Sequence, residues 1–140
     1  MNIMVKEVGK PLAVVDTKEK YFGDCVRSYL GKDITVERVY LDGTEFMMGV
    51  DEDGLFKQLP LNFLMSMQNP IYPVQYIVGT VVFARCKPCN LYEEEIWDFE
   101  VTDVTEEDIK RIEGYLNDYY QSALRLAVQK AMSDREEKEQ

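Results

Sequence analysis

Hydrophobic and polar positions in the first thirty residues predict a strand pair followed by one helix. Two β-branched runs, Ile3 to Val8 and Leu12 to Asp16, flank a Gly-Lys-Pro step, the composition of a turn between strands. From Thr17 the spacing becomes helical, and Gly31 stands where the glycine that follows a helix is expected. The apolar face of that helix consists of Tyr21, Phe22, Cys25, Val26, Tyr29 and Leu30.

The middle of the chain predicts a hairpin, a proline-rich connection and a central strand. The runs Ile34 to Leu41 and Thr44 to Val50 flank Asp42-Gly43, a dipeptide that favours a two-residue hairpin loop. Gln75 to Arg85 is rich in Val, Ile and Phe, as a strand buried on both faces is, although Gly79 interrupts it. Between them, Pro60, Pro70 and Pro73 disfavour a continuous strand, so we expect a short helix within loops.

The last third predicts a half-exposed strand and a long helix. Trp97, Phe99 and Val101 alternate with polar residues, and Thr105 is a helix N-cap followed by acids that suit the helix dipole. The helix is expected to run to about Met132, some 40 Å at roughly 1.5 Å per residue. Two interpretations stay open: a core helix that extends slightly beyond the sheet, or a helix that forms a homodimer contact. Its apolar stripe includes Ile109, Ile112, Leu116, Tyr119, Ala123 and Leu126.

The elements together predict an α+β fold, a small and mainly antiparallel twisted sheet with one short helix and one long C-terminal helix. At 140 residues the chain fits one domain, over 1–132, with a disordered acidic tail at 133–140. The sequence contains no histidine, which excludes Ser-His-Asp and Cys-His catalysis and imidazole metal sites. Neither an export signal nor a membrane span is recognisable, so we expect a soluble, cytoplasmic protein.

Charge is distributed unevenly along the chain. Pro88 to Ile109 holds nine of the 26 acids and no Lys or Arg, so the remainder has 17 acids and 16 bases. Such a block repels nucleic acid and attracts basic protein surfaces. The acids at 106–108 are explained by the helix start, which leaves a candidate partner-binding ribbon made of Glu93, Glu94, Glu95, Asp98, Glu100 and Asp103.

Three further motifs have weak chemical signatures. Cys86-Lys87-Pro88-Cys89 has the spacing of a zinc or redox pair, but too few other ligands are present, so an inert loop is favoured and no metal or cofactor is expected. Asp51 to Gly54 lacks the remaining ligands of a calcium loop and predicts a plain turn. Asn62, Tyr72 and Tyr76 form an alternative ligand-binding set, since an amide and aromatic faces can hold a nucleobase-like molecule.

The order of several central motifs resembles a known family. These are the Asp42-Gly43 hairpin, the acidic turn that ends at Gly54, the Leu59-Pro60-Leu61-Asn62 step and the segment Ile77 to Phe83. In this order, over roughly Ile3 to Leu116, the chain resembles the phage, plasmid and bacterial proteins grouped as domain of unknown function 3846. Cys86 to Glu95 departs from that pattern as an apparent insertion. The resemblance implies a mobile-element context near genes that act against host defences, without an established activity.

Charge and resemblance together predict a non-enzymatic accessory protein of a phage or mobile element. It would bind and inhibit a basic host defence protein, one that itself binds nucleic acid, through the acidic ribbon. The alternatives are a small-ligand or nucleotide-signal binder that acts as a sponge, and a housekeeping interaction domain. Direct binding to nucleic acid or membrane is not expected.

Overall fold

The computed structural model of the protein describes residues 1–41, 43–66, 74–86, 101–118 and 126–134. Eight strands and three helices follow one another within these residues. In chain order they are β1 (Asn2–Lys6), β2 (Ala13–Asp16), α1 (Phe22–Leu30), β3 (Ile34–Leu41), β4 (Thr44–Asp51), β5 (Leu61–Ser66), β6 (Val74–Val78), β7 (Val81–Cys86), β8 (Val101–Thr102), α2 (Glu106–Leu116) and α3 (126–134). The predicted α+β class and antiparallel sheet are confirmed.

A main sheet with the strand order β2-β1-β7-β4-β3 forms the centre of the fold, and β8 adds to the far end of β7. All of its pairs are antiparallel. The predicted hairpins are confirmed: β1 pairs with β2, and β3 pairs with β4 from Ile34 opposite Asp51 to Leu41 opposite Thr44. Gly43 has φ +75°, as a tight hairpin turn requires, while Asp42 lies outside the described residues.

Both faces of the central strands of the main sheet are buried, and their side chains alternate between two apolar layers. On one face α1 packs through Phe22, Cys25 and Val26. The opposite face is covered by a minor sheet of β5 and β6 and by Ile112 of α2. Within β7, Val81 and Phe83 belong to the second layer, whereas Val82 and Ala84 belong to the first. The molecule therefore has three layers, with the main sheet in the middle.

The prediction of a short helix in the proline-rich connection is wrong. Leu61–Ser66 is strand β5, and it pairs with β6. The single central strand from Gln75 to Arg85 is wrong as well, because Gly79 adopts φ +72° and separates β6 of the minor sheet from β7 of the main sheet. An isolated apolar run does not reveal such a change of sheet. The glycine that the sequence marks as an interruption is the point where the chain crosses between layers.

The prediction of one uninterrupted terminal helix is also wrong. Helix α2 ends at Leu116, and its C-cap Asn117 has φ −98° and ψ 5°. Asn117 and Asp118 are both poor helix formers, since their short polar side chains compete for backbone hydrogen bonds. Helical structure returns in α3, where nearly every residue is exposed. Among the described residues, no helix is long and apolar enough to cross a membrane.

The start of α2 is held to the main sheet by its capping residues. Thr105 accepts a hydrogen bond from the Asp108 backbone N–H, and the Asp108 carboxylate accepts one from the Thr105 N–H, which together form a capping box. The same carboxylate, whose side chain is 1% exposed, pairs with Arg85 of β7. The predicted Thr105 N-cap is confirmed, and its acid at the third helical position also holds the helix on the sheet.

Gly49 of β4 allows α1 to approach the sheet closely. A Cβ atom at this position would lie 2.6 Å from Cγ1 of Val26 and closer still to Cγ2. We expect Gly49→Ala to lower the free energy of unfolding by about 1–3 kcal/mol, because overpacking forces the helix outwards. Urea unfolding followed by circular dichroism measures the change.

Gly114 of α2 supplies the matched control. Nothing lies within 4 Å of a Cβ placed there. Gly114→Ala should stabilise the protein by about 0.5–1 kcal/mol, since alanine is the better helix former. If Gly49→Ala did not destabilise the protein, close packing of α1 on β4 would be refuted.

Candidate functional site

Of the six acids predicted to form a binding ribbon, only Asp103 lies within the described part of the chain. Glu93, Glu94, Glu95, Asp98 and Glu100 lie outside it. Asp103 is exposed, and its Oδ1 accepts a hydrogen bond of 2.6 Å from the backbone N–H of Asn2. The next residue, Val104, donates its N–H to the Asn2 carbonyl. Asp103 therefore secures the start of β1, and the ribbon as a binding surface stays a prediction.

An exposed apolar surface lies on the turn between β4 and β5, at residues 52–58, which we name the Phe56 loop. Phe56 is 91% exposed and Leu55 is 66% exposed, the former being the most exposed large hydrophobic side chain among the described residues. Two adjacent apolar side chains in solvent do not contribute to the core. They are typical of a contact surface when the backbone holds them in a defined position.

Hydrogen bonds fix the backbone of the Phe56 loop. The N–H groups of Lys57, Gln58 and Leu59 donate to carbonyls within the loop at 2.8–3.2 Å. Glu52 donates its N–H to the Asp33 carbonyl, which ties the loop to the start of β3. Gly54 is buried, and a Cβ there would lie 2.8 Å from Cγ2 of Val78. The loop is thus packed at its base, while Phe56 points away from the core.

An ion pair joins the Phe56 loop to the end of β4. Lys57 Nζ lies 2.9 Å from Oδ2 of Asp51, whose Oδ1 also accepts the Asp53 N–H. The hydrogen bond from Lys57 lowers the pKa of Asp51 below its ordinary 3.8, and the same contact raises the pKa of Lys57 above 10.5. Residues 52–58 form the turn that the sequence predicts, and the carboxylate of Asp51 before it is paired with Lys57.

Acidic side chains lie beside part of the exposed apolar surface. Glu37 and Glu52 line a groove of about 150 Å³ together with Leu55 and Tyr76, which is 46% exposed. Asp53 lies within the loop itself, and Asp33 is close enough to raise the pKa of Lys57. The surface therefore combines exposed apolar side chains with acids on the side of the groove.

The three residues of the alternative ligand set do not form one site. Tyr76 lines the groove beside Leu55, whereas Asn62 is 1% exposed and lines a different pocket. Tyr72 lies outside the described residues. Asn62 is the extra residue of a β-bulge, since Leu61 pairs with Val78 and Phe63 pairs with the adjacent Ile77. An amide held by a bulge in the core was not foreseen from the sequence.

The cysteine motif is described only in part. Cys86 is buried at the end of β7, and Cys89 lies outside the described residues. Cys25 is also buried, and burial raises the pKa of its thiol, which disfavours the reactive thiolate. Within the described part of the chain, no group of three Cys, Asp or Glu side chains is placed to hold a metal ion.

No family model, curated protein or solved structure matches this chain. The resemblance to domain of unknown function 3846 thus stays a prediction. The Phe56 loop is the site that sequence reasoning missed, although a signal was present. Leu55-Phe56 is an apolar pair inside a turn, between a glycine and a lysine, where neither strand nor helix periodicity explains it.

The ion pair of the Phe56 loop predicts a pH dependence. The pKa of Asp51 is lower in the folded than in the unfolded protein, so the unfolded state binds more protons in acid. The contribution of this carboxylate is complete above about pH 4 and is lost as the pH falls through its folded pKa. Urea unfolding between pH 2 and 7 should show a shallower acid-side loss of stability in Asp51→Asn than in the natural protein. Equal slopes would contradict the assignment.

Proposed function

We propose that the protein is a non-enzymatic binding protein that docks on another protein through the Phe56 loop. The observation that carries the proposal is a phenylalanine held 91% exposed by a loop whose backbone is hydrogen-bonded. Large aromatic residues at the centre of an interface frequently supply most of the binding energy. A loop that is already ordered loses little conformational entropy on binding, so more of the contact energy appears as affinity.

The acids beside the exposed apolar side chains indicate the charge of the partner. Glu37 and Glu52 line the groove beside Leu55, Asp53 lies in the loop, and Lys57 is already paired with Asp51. A partner with an apolar pocket bordered by Lys and Arg would satisfy both features, and the opposite charges would accelerate association. Basic surfaces of this kind are common on nucleic-acid-binding proteins, which are the first class to test. More specifically, we propose that the partner is a host defence protein, and this part of the proposal rests on the resemblance to domain of unknown function 3846.

We expect Phe56→Ala to weaken partner binding by about 2 kcal/mol, close to thirtyfold, because it removes the apolar anchor. Its free energy of unfolding should change by less than about 0.5 kcal/mol, since the side chain lies in solvent. A photo-crosslinking residue at position 56 in lysate, followed by mass spectrometry, identifies the partner peptide. Affinity is then measured with that purified partner.

Two matched controls distinguish this surface from the general effects of losing an exposed aromatic side chain or changing the net charge. Tyr40 is 72% exposed on β3, and Tyr40→Ala should leave affinity unchanged. The double variant Glu52→Lys/Asp53→Lys should weaken binding and reduce its salt dependence. Glu19→Lys/Asp134→Lys changes the net charge equally on exposed residues elsewhere and should not. Equal losses in both charge variants, or a crosslinked peptide without Lys or Arg nearby, would refute the basic partner surface. An unchanged affinity of Phe56→Ala would refute docking through the Phe56 loop.

A further inference from the structure

A pocket of about 480 Å³ lies between the turn that joins β1 to β2, the bulge of β5 and the end of α2. This volume is within the range of small-molecule sites. Leu12, Phe63 and Leu116 supply apolar contact area. The pocket is separate from the groove beside the Phe56 loop, with which it shares no lining residue.

Asn62 in the wall of this pocket has an unfilled hydrogen-bond requirement. Its Nδ2 donates to the carbonyls of Lys6 and Gly79 at 2.9 and 2.8 Å. Two carbonyl partners settle which end of the amide is the NH2 group, because only that end can donate. The Oδ1 atom is then buried without a hydrogen-bond partner among the described residues. Buried acceptors are nearly always satisfied, so a missing donor is indicated here.

The charges that line the pocket come from different elements. Lys6 and Lys10 belong to β1 and the turn after it, whereas Glu113 belongs to the last turn of α2. Lys10 also pairs with Glu7 at 3.0 Å, and Lys6 donates to the Glu7 carbonyl. The Lys10 pair is exposed on both sides, so it contributes little and a ligand anion can compete for the ammonium. Cationic and acceptor groups thus lie in one pocket.

We propose that this pocket binds a nucleotide whose base carries an amino group. The phosphate would contact Lys6 and Lys10, and the amino group would donate to Glu113. It would also donate to Oδ1 of Asn62 once the pocket wall moves enough to expose that buried atom. The apolar side chains, Phe63 among them, would contact the base. A simple anion fits less well, because Glu113 repels it and Asn62 Oδ1 can only accept.

Isothermal titration calorimetry with AMP, CMP and GMP tests the proposal. At least one of them should bind, and adenosine and ribose 5-phosphate should bind at least about tenfold more weakly, since each lacks half of the recognised groups. For the nucleotide that binds, the side-chain amide signal of Asn62 should shift in ¹⁵N spectra, while that of Asn2 should not. This readout needs no substitution of Asn62, which the fold requires.

Three variants assign the contacts. Lys10→Met should weaken the nucleotide at least about tenfold, whereas Lys18→Met, on an exposed lysine outside the pocket, should not. Glu113→Gln should weaken the nucleotide without weakening ribose 5-phosphate. The proposal is overturned if none of the three nucleotides binds, if ribose 5-phosphate binds equally well, or if Lys10→Met has no effect. None of these results bears on docking through the Phe56 loop.

Discussion

The burial of both faces of β7 is the constraint on which the other layers depend. Its residues from Val81 to Ala84 are completely buried and alternate between the two apolar layers. β1 and β4 pair with this strand on either side. The ring of Phe83 stacks on that of Phe63 in the minor sheet, with the ring centroids 6.0 Å apart. Arg85, one residue further, pairs with the acid that caps α2. One strand of six residues thus contacts every layer of the fold.

The parts of the fold that sequence predicts well are those in which local chemistry and packing agree. Gly31 ends α1 with φ +90°, and Thr105 starts α2 with its side chain on the Asp108 N–H. Such signals need only a few neighbouring residues. The β3–β4 hairpin is of the same kind, because its register follows from a tight turn between alternating strands.

Where the prediction fails, a contact distant in sequence determines the structure. β5 follows a proline and reads poorly as a strand, but it is stabilised by β6 and by packing of Phe63 on Phe83. The helix predicted to Met132 stops at Leu116, where the polar pair Asn117-Asp118 interrupts the stripe. Periodicity extends an apolar pattern across such an interruption, because it does not include the partner surface that each turn of helix needs.

The candidate sites show the same difference between local signals, which the sequence reveals, and distant contacts, which it does not. An exposed apolar pair in a turn is visible in the sequence, but its exposure and its hydrogen-bonded frame are not. The residue type of Asn62 marks it as a candidate, but its predicted grouping with Tyr76 is wrong, since the two line different pockets. A bulge is a one-residue irregularity in pairing, and only the register of both strands reveals it.

The bulge at Asn62 also limits the lengths that this part of the chain tolerates. The carbonyl of Pro60 accepts the Gly79 N–H, and Phe63 is held against Phe83, so both ends of the Leu61-Asn62 pair are anchored to other segments. A deletion here would remove the amide that joins two carbonyls, and an insertion would displace a ring of the core. In homologous proteins, insertions and deletions should therefore accumulate in other connections and avoid the two residues after Pro60.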